Sequence, residues 1–207
     1  MKIMVIAMLL LTNLQLFAQR EKEIKNNDIE GFYITASDFK ANKLTMPTDN
    51  NHKGDKIKLK QFFISPEIIS VEQGKETVYY KDSVFAIRLS NGENYRFVNR
   101  TPCLVADTSY LIIYTYETTK TEYKMVGATR RSKEVPVTYY YFSVQPHDKV
   151  FTLTMDNVRR EVLVEPKLHT AVCNKFTNDN MLTETNPETG RFKINEFILE
   201  QVEKYYD

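Results

Sequence analysis

Two runs of alternating tyrosines and aliphatics constrain this chain most, YLIIYTY at 110–116 and VTYYYFSV at 137–144. Period-two alternation belongs to a strand, whose successive side chains point to opposite faces. It assigns Tyr110, Tyr114 and Tyr116 to one face, with Leu111 and Ile113 on the other. Tyr139 and Tyr141 oppose Tyr140 and Phe142 in the same way. The polar stretch between the runs, 117–136, reads as the extended end of a hairpin with Gly127 near its tip. Aromatic cross-strand pairs stabilise a sheet by roughly 0.2–1 kcal/mol each. Packing is therefore the first expectation for these tyrosines, and the lining of a sugar or lipid pocket is the alternative.

Strand patterns dominate the chain before the tail. Phe32-Tyr33-Ile34 is a short strand, followed by a helical turn through Asp38, Phe39 and Ala41 that Thr35 or Ser37 caps. Residues 46–56 form a loop by their Pro, Gly, Asn and Asp content. Lys56, Lys58 and Lys60 alternate with Ile57 and Leu59, a strand with its lysines in water. Residues 68–71 and 77–80 flank a turn at Gly74. In DSVFAIRLSNGENYRFVN, Asn91-Gly92 suits a type I′ turn between two arms, 84–89 and 95–98. Residues 103–106 continue the strand pattern. In the tail Thr154 caps a helix carrying Met155, Val158 and Val162, and Pro166 starts a helix with a stripe of Leu168, Val172 and Phe176. NDNMLTETNPETG is a loop, and a last amphipathic helix carries Ile194, Phe197, Ile198, Val202 and Tyr205. Strands first and helices last predict an α+β fold, a mainly antiparallel β-sheet with helices in the C-terminal third.

The first residues, MKIMVIAMLLLTNLQLFA, place Lys2 before an apolar run too short to span a bilayer and end on Leu16-Phe17-Ala18. That layout predicts a signal peptide over 1–18, cut near Ala18, and a protein exported to a periplasm or beyond the cell. A polar lead-in over 19–30 then precedes a single domain over 31–207. Hydrophobic residues make up 42% and aromatics 12% of the chain, too much for a disordered one. The net charge of +1 exerts no global pull toward nucleic acid, and no later stretch is apolar enough to span a membrane. Cys103 and Cys173 are the candidate pair for a disulfide, which would close a long loop and contribute about 4 kcal/mol. The alternative is two buried free thiols.

Four pieces together resemble a group of uncharacterised exported proteins of the Bacteroidota: the LFAQ signal end, GFYITASDFKANKLT, KDSVFAIRLSNGENYRFVN, and TYYYFSV before a helical tail. The group opens its mature domain on Gly-x-Tyr-x-Thr-x-x-Asp-Phe-x-x-Asn-Lys. Gly31, Tyr33, Thr35, Asp38, Phe39, Asn42 and Lys43 match it, and Tyr95 and Arg96 match a later Tyr-Arg strand. The resemblance implies a location and a shape, and no catalytic residues. A Trp-Gly-like pair is expected after Lys-Asp-Ser, where this chain has Phe85-Ala86 and no Trp anywhere.

The polar residues of the opening stretch admit two readings. Asp38, Asn42 and Lys43 form a site beside Tyr33, or they cap and end a turn. Capping logic favours the second. The histidines are His52, His147 and His169. No two stand at i, i+4 and no Cys-x-x-Cys occurs, so neither a metal site nor a cofactor is expected. His169 and Cys173 stand four apart on a helix and are the weak catalytic candidates, with His147-Asp148 as the group that would orient them. There is no Gly-x-Ser-x-Gly elbow and no Gly-rich phosphate loop. The candidate binding surface is the basic hairpin: Lys120, Lys124, Arg130, Arg131 and Lys133, with Tyr114, Tyr116 and Tyr123 near by. Tyr and Arg are the residues that hold partners. The surface fits an envelope protein, a polyanionic glycan or a lipid headgroup. Against it, Glu117, Glu122 and Glu134 dilute the charge, and a solvated edge needs charges anyway. The sequence thus points to a non-catalytic exported binding domain. Its alternatives are a Cys/His hydrolase or transferase, or a carrier of a small ligand between sheet and helices.

Overall fold

The computed structural model describes residues 29–48, 56–72, 74–126, 129–163 and 165–206. The expected signal peptide, His52 and Gly127 lie outside the described residues. The chain is α+β with a mostly antiparallel sheet and helices mainly in its C-terminal part, as the order of patterns predicts. It groups into two compact units, 1–95 and 96–207.

In the first unit, β1 (Glu30–Tyr33) lies between β2 (Thr45–Thr48) and β6 (Ala86–Arg88), antiparallel to both. The turn after β1 winds α1 (Ala36–Lys40), whose five residues hold because of a capping box. Thr35 Oγ1 accepts from the Asp38 N–H and Asp38 Oδ2 accepts from the Thr35 N–H, each at 3.0 Å. Asn42 follows at φ 50, a left-handed position that Asn tolerates. Its Oδ1 accepts from the Tyr33 hydroxyl at 2.9 Å and from Arg88 Nη1 at 3.1 Å. Phe39 meets the Tyr33 ring edge-on at 5.2 Å. The polar residues of GFYITASDFKANKLT therefore build a cap and a turn.

A second, three-stranded sheet runs β3 (Lys56–Ile57), β4 (Glu67–Glu72), β5 (Lys75–Tyr80), with Gly74 turning between the last two at φ 79. The strand expected over 56–60 is cut short. Residues Leu59–Phe63 wind a 3₁₀ helix instead, because Leu59 and Phe62 are both buried and three residues per turn aligns them. Asn91-Gly92 does not form the expected type I′ turn either. Gly92 donates to the Leu89 carbonyl and Leu89 donates to that of Glu93, both at 2.9 Å, so the loop holds three residues. Of the Asn-Gly pair only Gly92, at φ 84, is left-handed. Asn91 Oδ1 spends its acceptor on the Glu93 N–H at 3.1 Å, an Asx turn, and Asn91 itself does not take a positive φ.

β7 (Asn94–Val98) carries the chain into the second unit. The two-residue left-handed turn occurs after it, at Asn99 (φ 49) and Arg100 (φ 68), before β8 (Thr101–Asp107). β8 pairs with β9 (Ile112–Val126), β9 with β10 (Thr129–Ser143), and β10 with β11 (Phe151–Thr152), all antiparallel. Four helices follow: α2 (Met155–Glu161), α3 (Pro166–Lys175), α4 (Asp179–Leu182) and α5 (Lys193–Tyr206). Thr154 caps α2 and Pro166 opens α3, as expected. The single-turn α4 lies where only a loop was expected. Asn178 Oδ1 caps it at the Met181 N–H.

Leu111, Ile113 and Phe142 share one buried cluster with Val158, Leu168, Val172, Phe176, Leu182, Ile194 and Ile198 of the helices. Cys103, Ile112 and Tyr114 form a separate cluster, with Val105, Tyr116 and Tyr141 against it. The strand alternation of residues 112, 113 and 114 puts the two clusters on opposite sheet faces. Tyr110 precedes β9 and packs with the helical cluster, not with Tyr114 as alternation predicts. The candidate disulfide does not form, because its two cysteines belong to clusters on opposite sheet faces. Cys103 is buried in the cluster with Ile112 and Tyr114, Cys173 packs against the helical cluster, and both thiols are free.

One polar clamp ties the β8–β9 connection to α5. A bulge after Val105 brings in Asp107, whose Oδ2 accepts from the Phe192 N–H at 2.9 Å and whose Oδ1 accepts from the Ser109 N–H at 2.8 Å. Asn195 receives the Leu111 N–H on Oδ1 and donates Nδ2–H to the Leu111 carbonyl, both at 2.9 Å.

Candidate functional site

β9 and β10 pair without interruption from Ile112 opposite Ser143 to Val126 opposite Thr129. Third strands pair only near the base: Val105 with Tyr114 and Leu104 with Thr115 on one side, Thr152 with Tyr141 on the other, among the described residues. From residue 117 onward the hairpin is a two-stranded ribbon. At about 3.4 Å per residue it extends roughly 30 Å from the sheet.

The register sorts the ribbon's charges. Lys124 sits opposite Arg131, Glu122 opposite Lys133, and Lys120 opposite Val135. Partners in an antiparallel register share a face. These residues therefore lie on the face that carries Tyr114, Tyr116, Tyr139 and Tyr141 lower down. Lys120, Glu122, Lys124, Arg131 and Lys133 are all exposed. Glu117 faces Thr138 and Glu134 faces Thr121, which puts two of the three diluting carboxylates on the other side. The basic face keeps four cations and only Glu122.

Arg130 and Tyr123 also lie on the other side. There the Arg130 guanidinium stacks over the Tyr123 ring, 3.8 Å from its centre, and Met125 is exposed beside them. Among the sequence candidates, Tyr114, Tyr116, Lys120, Lys124, Arg131 and Lys133 share one face, and Tyr123 and Arg130 share the opposite one.

The tyrosines beneath the cations form a supported platform. Tyr116 stacks with Tyr139 at 6.4 Å between ring centres, and Tyr139 is 45% exposed. Tyr114 is buried. Its hydroxyl bonds Ser143 Oγ at 2.9 Å and accepts from Arg96 Nη1 at 2.7 Å, while Arg96 Nη2 donates to the Asp148 carbonyl at 3.2 Å. Arg96 matters here and composition did not reveal it; its sequence signal is the Tyr-Arg pair in the resemblance pattern. Burial raises the Tyr141 hydroxyl above its ordinary range, and its neighbours Cys103, Tyr139 and Tyr116 add to the shift.

The Cys173 and His169 pair also forms. Cys173 Sγ lies 3.8 Å from His169 Nδ1 and 3.9 Å from Nε2. Arg159, which sequence spacing did not flag, donates Nε–H to the same sulfur at 3.4 Å from the neighbouring helix α2. His147 instead pairs with Asp148 at 3.3 Å, and Asp148 Oδ2 accepts from the Gln145 N–H at 2.8 Å. Among the described residues no cluster of three His, Cys, Asp or Glu side chains is placed to hold a metal. No helix among them is long and apolar enough to cross a membrane. No known family model, curated protein or solved structure matches the chain.

Proposed function

We propose that the chain is an exported, non-catalytic binding domain whose β9–β10 ribbon takes an extended anionic partner from the cell envelope. One observation carries this reading: the register gathers Lys120, Lys124, Arg131 and Lys133 on one exposed face and sends Glu117 and Glu134 to the other. Four cations spread along one face of an extended ribbon suit a linear polyanion in charge and reach. The Tyr116–Tyr139 platform lies on the same face, where a sugar ring or an apolar side chain can stack. Location outside the cytoplasm rests on the Lys2-led apolar start of the chain.

Neighbouring residues on opposite faces supply the test. Arg131→Glu and Arg130→Glu change the net charge equally. An exposed pair of unit charges at 4 Å is worth about 1 kcal/mol in water. Reversal therefore costs about 2 kcal/mol, or roughly thirtyfold in affinity, at low salt. On an immobilised sulfated polysaccharide, R131E elutes at lower salt than the parent protein and R130E elutes with the parent. Equal elution of the two variants removes the face from the model.

A second reading, hydrolase or transferase chemistry at Cys173, is favoured by the 3.8 Å contact with His169. It lacks a third side chain orienting the His169 ring among the described residues, which nucleophilic catalysis requires. Native mass spectrometry of protein from its own envelope fraction separates the readings. A small adduct lost on denaturation supports an enzyme or carrier. A protein without one favours the binding domain.

A further inference from the structure

We propose that Cys173 is a reactive thiol, set up by Arg159 and His169, that forms mixed disulfides with low-molecular-weight disulfides. Three observations meet at this sulfur. It is half-buried on α3, not sealed in the core. His169, one turn earlier on the same helix, places both ring nitrogens within 3.9 Å. Arg159 reaches across from α2 and donates Nε–H to Sγ at 3.4 Å. Imidazole and guanidinium beside a sulfur are the surroundings in which thiols attack, because the reacting species is the thiolate.

The step balances without further components. The Cys173 proton passes to His169, and the guanidinium stabilises the negative sulfur that remains. That sulfur attacks one sulfur of the small disulfide. A new S–S bond forms to Cys173, the old S–S bond breaks, and the other half leaves as a thiolate. It takes back the proton held on His169. Asp156 lies 3.4 Å from Arg159 Nη1, and Asp179 acts on the same guanidinium from a greater distance; both moderate the positive charge offered to sulfur.

Cys103 is the internal control. It is fully buried, and burial pushes its thiol up to about 11. The folded full-length protein is incubated with oxidised glutathione at neutral pH, and the site is read by intact mass and peptide mapping. The expected result is one glutathione per chain, on Cys173 and not on Cys103. Arg159→Gln slows its formation about tenfold, the scale of a lost charge-assisted donor. Arg159→Lys restores much of the rate, and His169→Gln slows it as well, with circular dichroism of each variant matching the parent. Two results overturn the proposal. One is a Cys173 that reacts only after denaturation. The other is a Cys173 that reacts equally fast in the parent, R159Q and H169Q proteins.

Discussion

Asn195→Ala is the sharpest test of what holds the second unit together. Asn195 and Leu111 are both fully buried, and the carboxamide satisfies the Leu111 N–H and carbonyl at 2.9 Å each. Removing it strands one backbone donor and one acceptor where water does not reach. Each buried polar group left unsatisfied costs about 1–3 kcal/mol. N195A should therefore cost about 2–6 kcal/mol, a large share of an ordinary domain's stability. A chain of two compact units need not unfold in one step. Native-state hydrogen exchange is the right assay, read at the Leu111 amide and along α5. Both regions should lose protection together. Asn195→Asp is the companion. It keeps an acceptor for the Leu111 N–H but sets a carboxylate oxygen against the Leu111 carbonyl, so it should cost at least as much. A loss under 1 kcal/mol in N195A, or a neutral N195D, would refute the clamp.

Two further predictions concern pH. Burial raises the Asp107 carboxyl, but hydrogen bonds from Ser109 and Phe192 outweigh it and leave the group below its ordinary value. A depressed carboxylate adds stability that is complete above the unfolded value near 4 and is lost as pH falls through the folded value. Asp107→Asn should therefore be less stable than the parent at pH 7, with the gap closing on acidification; an unchanged gap at pH 2 in denaturant titrations contradicts this. Burial also raises the Cys103 thiol to about 11, against the opposing pull of the Val98 backbone hydrogen bond and Arg96. Folding should thus weaken as pH climbs from about 9 toward 11, where the unfolded chain ionises first. Cys103→Ala should remove that part of the slope, and iodoacetamide should spare Cys103 in the folded protein at pH 8.

What the sequence made legible was whatever depends on short-range periodicity. The alternation in 110–116 and 137–144 located the β9–β10 hairpin, and the stripe Leu168, Val172, Phe176 located α3 and its buried face. Competing local hydrogen bonds defeated other expectations. Asn91 has the composition of a type I′ turn, yet its side chain prefers the Glu93 N–H, and the left-handed pair falls on Asn99 and Arg100. The 3₁₀ turn at Leu59 shows the same limit: Lys-Ile-Lys-Leu-Lys alternates, but Phe62 shares burial with Leu59 at a helical spacing. Long-range pairings left no local trace. Arg159 comes within reach of Cys173 only because α2 packs near α3, and nothing in the spacing of 159 and 173 encodes that.

The hairpin's charges show why a functional surface is harder to read than a strand. In the linear sequence, three glutamates lie among five cations, and the sum looks mild. That sum is the wrong quantity, because a partner meets one face at a time. Side chains on a strand change faces at every residue, so parity within each strand and register between strands decide what the partner meets. Parity alone separates Arg130 from Arg131. Register then sets Lys124 against Arg131 and leaves Glu122 as the one carboxylate among four cations. A slip of one residue in β10 would exchange Arg131 and Lys133 for Arg130 and Glu134 on that face, replacing two cations with a neutral pair. The surface thus depends on pairing at the base of the ribbon, where Tyr141 sits opposite Tyr114 and Tyr139 opposite Tyr116. There the Arg96–Tyr114–Ser143 hydrogen bonds fix which face is buried. The tyrosines read first as packing and the cations read as binding are two ends of one device: the aromatic base sets the register, and the register assembles the charge.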